Sequence, residues 1–121
     1  TTLEDVQAVC EPSTITAAQE EVDATSITDE VLAYLLGIVR GTRSLPAVEL
    51  GASPRAAVHL LAASRARARL AGREYVTPDD IARMASTVLR HRILLRPEAE
   101  LDRYRPDDAV AAAVAATPVP R

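Results

Sequence analysis

Phe and Trp are absent, and Tyr34, Tyr75 and Tyr104 are the only aromatic residues among 121. A core must therefore be filled by Leu, Val, Ile and a great deal of Ala, without the rings that dominate most interiors. Ala combines the highest helix propensity with a very small side chain, so this composition favours helices packed closely together. The length suits a single domain. Hydrophobic residues make up 48% of the chain and charged ones 26%, the balance of a folding sequence rather than a disordered one.

Proline and small polar residues divide the chain into elements. Leu3 to Cys10 reads as a short helix with Leu3, Val6 and Cys10 on one side, ended by Pro12. Ser13 reads as the N-cap of a second helix reaching about Val22, and 23–27 is a break. From Thr28 the pattern strengthens. Thr28 caps, Asp29 and Glu30 occupy the positive first turn, and Ile27, Val31, Leu35 and Val39 recur every four residues beside Leu32 and Leu36. Arg40 and Arg43 suit the negative end of that helix. Pro46 and Gly51 make 44–52 a loop, with Val48 and Leu50 in a short strand.

Two Ser/Thr-Pro steps then start helices with the same chemistry. Ser53 caps, Pro54 takes the first helical position, where its missing N–H costs nothing, and the helix runs to Ala71 before Gly72 stops it. Thr77, Pro78, Asp79 and Asp80 repeat the signal, with Asp80 placed for a capping box. Ile81, Met84, Ala85, Val88 and Leu89 form the buried stripe of that helix. Residues 92–96 alternate weakly and supply a strand to pair with Val48–Leu50. After Pro97 the chain is polar until Pro106 opens an Ala-rich helix, closed by Pro118 and Pro120. The expected fold is mainly α, a small helical bundle with a two-stranded β ribbon.

All 14 basic residues are Arg. The absence of Lys excludes Schiff-base chemistry and any phosphate loop of the G-x-x-x-x-G-K-[ST] type within the chain. The net charge of −3 is unevenly spread: 1–39 carry 8 acidic and no basic side chains, whereas 40–105 carry 13 Arg against 7 acids. A net negative charge and the lack of Phe or Trp for base stacking argue against nucleic acid as a partner. The longest apolar run, Ala109 to Ala116, is too short to cross a bilayer, and no charged-then-apolar leader opens the chain, so a soluble protein without membrane insertion is expected. Lone Cys10 permits no internal disulfide and suits a reducing compartment. His59 and His91 lie 32 positions apart, and Asp79 and Asp80 read as caps, so no metal site is expected.

Arg55 stands out because a cation is unfavourable in the first turn of a helix by roughly 0.3–1 kcal/mol. Either the guanidinium points into water or towards a neighbouring acid, or it waits for an anion. A helix N-terminus with Gly51 and Ser53 nearby and Arg55 beside it is a suitable receptor for phosphate.

At Gly51-Ala52-Ser53-Pro54-Arg55-Ala56 the chain resembles the C-terminal lid subdomain of the MoxR-type AAA+ ATPases. Matching pieces are Tyr34 within the helix from Val31 to Thr42-Arg43, the run from Gly72 to Asp80, and Val88-Leu89-Arg90-His91-Arg92. They follow the family's order and spacing over about 25–96, the lid core. The resemblance makes 1–24 a linker with the first helices, and 97–121 a C-terminal helix with a Pro-rich tail. It implies that Arg55 is the sensor-2 arginine, contacting the γ-phosphate of ATP held in an upstream nucleotide-binding subdomain, with Gly51, Ser53 and Pro54 shaping the approach. The phosphate loop, the magnesium-binding acids, sensor 1 and the arginine finger of the family are not in this sequence. ATP hydrolysis is accordingly expected of the parent protein, with ATP and magnesium, and neither turnover nor bound cofactor of the fragment alone. The resemblance further implies a hexameric cytoplasmic ring, chaperone-like maturation of other proteins and a von Willebrand factor A domain partner.

Arg65, Arg67, Arg69 and Arg73 gather at the end of the Arg55 helix, as a solvated face favoured by the helix dipole or as a contact with a neighbouring subunit. His91, between two arginines, is a second interface candidate. His59 reads as structural, and Tyr34 as a core residue before an adenine contact. The competing reading is a free-standing helical interaction module whose Arg-rich face binds an acidic protein.

Overall fold

The computed structural model describes residues 2–121. Its helices are α1 (Pro12–Asp23), α2 (Asp29–Gly41), α3 (Pro54–Leu70), α4 (Pro78–Leu89), α5 (Pro97–Leu101) and α6 (Pro106–Ala116), with strands β1 (Val48–Leu50) and β2 (Leu94–Leu95). The mainly α bundle with a ribbon is as expected, and β1 and β2 pair antiparallel with an irregular register, Val48 opposite Leu95 and Leu50 opposite Leu94.

Helices α2, α3, α4 and α6 enclose the core. Thr28 caps α2, its Oγ1 accepting the Val31 amide, and the helix buries Tyr34, Leu35, Ile38 and Val39. This stripe is wider than the four-residue repeat indicated, because α3, α4 and α6 all lie against α2. Helix α6 comes close on small residues: a Cβ at Gly37 would stand 2.9 Å from Thr117 Cγ2, and one at Gly41 would touch Ala113. Through Val110 and Ala113 this last helix belongs to the same core as 25–96. Val48, Leu95 and Ala109 form a second, smaller cluster under the ribbon.

Helix α3 ends as Gly72 predicts. Gly72 takes φ +80°, and the Gly72 and Arg73 amides bond back to the Arg69 and Ala68 carbonyls, both at 2.9 Å. The loop that follows is tied to the start of α2, where Ser26 donates to Glu74 and accepts from Val76.

The N-terminal segment departs from expectation. Leu3 to Cys10 holds only a short 3-10 turn over Leu3–Asp5, and Leu3, Val6 and Val9 are exposed. So short a helix is not self-supporting, and no neighbouring surface packs on its apolar residues. Pro12 opens α1 instead of ending a helix, with Glu11 rather than Ser13 at the N-cap, because Pro is pre-set for the first helical position. Helix α1 buries no residue. The polar stretch after Pro97 contains the additional short helix α5.

Candidate functional site

The start of α3 is held from behind by the end of α2. Arg43 Nε donates to the Ala52 carbonyl at 2.9 Å, and the Ala52 amide donates to Thr42 Oγ1 at 3.0 Å. Gly51 is needed here for a reason within the chain. A Cβ at this position would stand 2.7 Å from Arg43 Cα and 2.8 Å from Arg43 N, both backbone atoms.

Ser53 occupies the N-cap in an extended conformation, but its side chain accepts no capping hydrogen bond, Pro54 has no N–H, and no acid stands in the first turn. The helix thus begins with its positive end uncompensated. A shallow depression of about 470 Å³ lies at this end, lined by Gly51, Ser53 and Pro54 together with Arg43, Glu49 and Arg92. Arg55 is exposed one residue beyond Pro54 and has no ion-pair partner among the described residues. Arg55 stands outside the lining of the depression and Arg43 is bonded to Ala52, so the unpaired guanidinium groups of Arg55 and Arg92, together with the open helix end, are the donors that suit phosphate oxygens.

The start of α4 is the opposite. The Thr77 hydroxyl and the Asp80 carboxylate bond reciprocally with each other's backbone amides, completing the expected capping box. Arg73 grips the same carboxylate with two bonds, at 2.7 and 2.6 Å, and Arg67 Nε stands 3.6 Å away. Asp80 is fully buried. Burial pushes its carboxyl up, but the bonds from Arg73 and Thr77 outweigh that and hold it below the usual carboxylate range. Asp79 turns outward to Arg83 at 2.8 Å, so the two acids do not converge.

The four arginines expected to share one face do not act as a set. Arg73 and Arg67 are drawn to Asp80, while Arg69 Nε donates to Thr25 Oγ1 at 2.8 Å. A depression of about 500 Å³ lies at this end of α3, but apart from Arg67 its lining of Ala63, Ala66, Leu70, Ala71 and Met84 is apolar and offers nothing to a phosphate. His91 is exposed just beyond α4. His59 is exposed as well, on the outward side of α3. Tyr34 lies in the core; burial and nearby Asp79 raise its hydroxyl above the usual tyrosine value.

Thr42, Arg43 and Arg92 fall in stretches that carry the resemblance, but the sequence assigned them no part in this site. Their contribution depends on chain segments brought together from 42–54 and from beyond α4, and no local motif signals it.

Residues 40–113 match the family model described as the AAA lid domain. The chain is 39% identical over 102 residues to the uncharacterized protein YeaC of Bacillus subtilis, a match covering 84% of this chain and 32% of that protein. It is 43% identical over 60 residues to the chaperone MoxR1 of Mycobacterium tuberculosis, covering 50% of this chain and 16% of that one. It is 45% identical over 71 residues to the protein MoxR of Paracoccus denitrificans, covering 58% and 21%. A crystal structure of a Cytophaga hutchinsonii protein assigned as an ATPase superposes with a TM-score of 0.79 at 27% identity, over 84% of this chain and 34% of that one. The chain thus spans about a third or less of the length of these relatives. No helix among the described residues is long and apolar enough to cross a membrane. Its fold, its motifs and these relatives agree: the chain belongs to the AAA lid domain family, as the lid of a MoxR-type AAA+ ATPase.

Proposed function

We propose that this lid covers the triphosphate of an ATP held by a nucleotide-binding region of the same protein, and that Arg55 is its sensor-2 arginine, directed at the γ-phosphate. The observation that carries this reading is the open start of α3, uncapped and without an acid, with an exposed and unpaired Arg55 in its first turn. Gly51, Ser53 and Pro54 set where that turn begins. The guanidinium charge would stabilise the bound triphosphate and the charge that develops as the terminal phosphoryl group leaves. Magnesium would be held with ATP by the nucleotide-binding region, since Asp79 and Asp80 are taken by Arg83 and Arg73. The fragment by itself then has no turnover.

The same reading places the parent protein in the cytoplasm as a hexameric ring that remodels other proteins, with a von Willebrand factor A domain protein as partner. The name of the Mycobacterium tuberculosis relative, a chaperone, supports the remodelling role. Arg65 and exposed His91 remain as candidates for contacts between subunits. A free-standing module using an Arg-rich face finds less support, because Arg69 and Arg73 are bonded within the chain.

The test is Arg55→Ala in the full-length protein. ATP turnover should fall by about 10²-fold or more, the scale of losing one preorganised charge contact in a site of this kind. The lid's melting temperature should stay unchanged, and a phosphate-release assay showing wild-type turnover would remove the assignment.

A further inference from the structure

Ala52 is pinned through both of its peptide groups, by two consecutive residues in the 3-10 turn Thr42–Ser44 that follows α2. Its carbonyl accepts from Arg43 and its amide donates to Thr42. The Thr42 side chain is the buried half of this clamp. Thr42 is fully buried, as is Ala52, and its hydroxyl also donates to the Val39 carbonyl at 2.6 Å. One hydroxyl thereby joins the last turn of α2 to the residue immediately before the α3 N-cap. Val39 itself is packed in the core, so the other end of the chain of bonds is anchored there.

We propose that Thr42 is a positioning residue for Arg55: its buried hydroxyl, bonded to Val39 and Ala52, fixes where α3 begins and so where the Arg55 guanidinium is presented. The inference rests on the phosphate role of Arg55 and adds to it a residue that touches no nucleotide. Ser53 gives α3 no side-chain cap, so within the helix start only Pro54 and the bond from the Ala56 amide to the Ser53 carbonyl hold the first turn. Its position relative to α2 is set by the Thr42 and Arg43 bonds and by the close approach of Gly51 to the Arg43 backbone. Replacing the hydroxyl with a methyl group leaves the Ala52 amide buried and unpaired, a state that the backbone relieves by moving. Displacement of about 1 Å in a group that acts on a phosphoryl transfer is enough to cost much of its rate.

Thr42→Val, Thr42→Ser, Arg55→Ala and the double variant Thr42→Val/Arg55→Ala, all in the full-length ATPase, separate the possibilities. At a temperature well below the melting transition, Thr42→Val should lower kcat by about tenfold or more, with KM for ATP changed by less than about threefold. Thr42→Ser, which keeps the hydroxyl, should restore turnover. The double variant should be no slower than Arg55→Ala alone, because Thr42 acts only through that side chain; a merely structural residue would add its own loss. Full activity of folded Thr42→Val beside an inactive Arg55→Ala overturns the positioning role and leaves the Arg55 assignment standing. Full activity of Arg55→Ala overturns both. If Thr42→Val does not fold, Arg43→Met removes the other half of the clamp from an exposed side chain. Its kcat should fall by about threefold with the same non-additivity towards Arg55→Ala, and wild-type turnover counts against the proposal.

Discussion

Helices α3 and α4 start with the same device, Ser53-Pro54 in one and Thr77-Pro78 in the other, and the two starts are electrostatic opposites. At α4 the orphan amides meet a hydroxyl and a carboxylate of the same turn, and Arg73 returns from the preceding loop to neutralise that carboxylate. At α3 nothing of the kind is present: the Ser53 side chain is unbonded and the first charged residue is a cation, Arg55. A helix start closed by its own anion serves the fold. One left open, with a cation beside it, is costly to the fold and useful only when an anion arrives from outside.

The largest effect should follow from opening the closed start. Asp80→Asn removes the buried charge that faces the part-exposed Arg73 and Arg67, and its loss should cost about 3 kcal/mol in a chemical unfolding experiment, the low end for a fully buried pair. Wild-type stability in that variant would mean that the capping box alone holds α4. The same carboxylate gives an acid limb. Its folded value is depressed by Arg73 and Thr77, so the stability it contributes is present above the ordinary Asp value near 4 and is lost as pH falls through the lower, folded value. Asp80→Asn should therefore lose part of the wild type's decline in stability below about pH 4.

Gly51→Ala tests the open start at its base. The added Cβ would overlap backbone atoms of Arg43 that cannot rotate away, so the loop must shift, at about 1–3 kcal/mol. Because the same loop carries Ser53, turnover of the full-length protein should fall as well. A variant that is destabilised but fully active would show that Gly51 matters to packing and not to the presentation of Arg55.

Much of this contrast is legible in the sequence, and the limit is distance along the chain. Ser53-Pro54, Thr77-Pro78, the Asp80 capping box and the Gly72 stop each involve residues within one turn of each other, where local backbone chemistry decides the outcome. The clasp of Asp80 by Arg73 reaches across a loop, the Arg69 bond to Thr25 spans 44 positions, and the Thr42 bond to Ala52 joins two elements. Each depends on how helices pack, which no local pattern encodes. The arginines show the error that results. Arg65, Arg67 and Arg69 are close in sequence, but residues two apart on a helix point to different sides, so Arg67 turns to Asp80 and Arg69 to Thr25. At Leu3, Val6 and Cys10 the error is the reverse: a helical spacing with no surface nearby to bury it.

The smallest expected change in stability is the sharpest test of the comparison, because it converts the open start towards the closed one. Ser53→Asp places a carboxylate at the α3 N-cap, where it can accept from the free first-turn amides and oppose the charge of Arg55. The fold should gain about 0.5 kcal/mol, visible as a slightly higher melting temperature. ATP turnover in the full-length protein should move the other way, by at least about tenfold, because the new anion occupies the place of a phosphate and repels it. Opposite signs in the two readouts are what distinguish a binding end from a capped one. A variant that is both more stable and fully active would mean that the open start of α3 is a tolerated defect, and that the phosphate is recognised elsewhere.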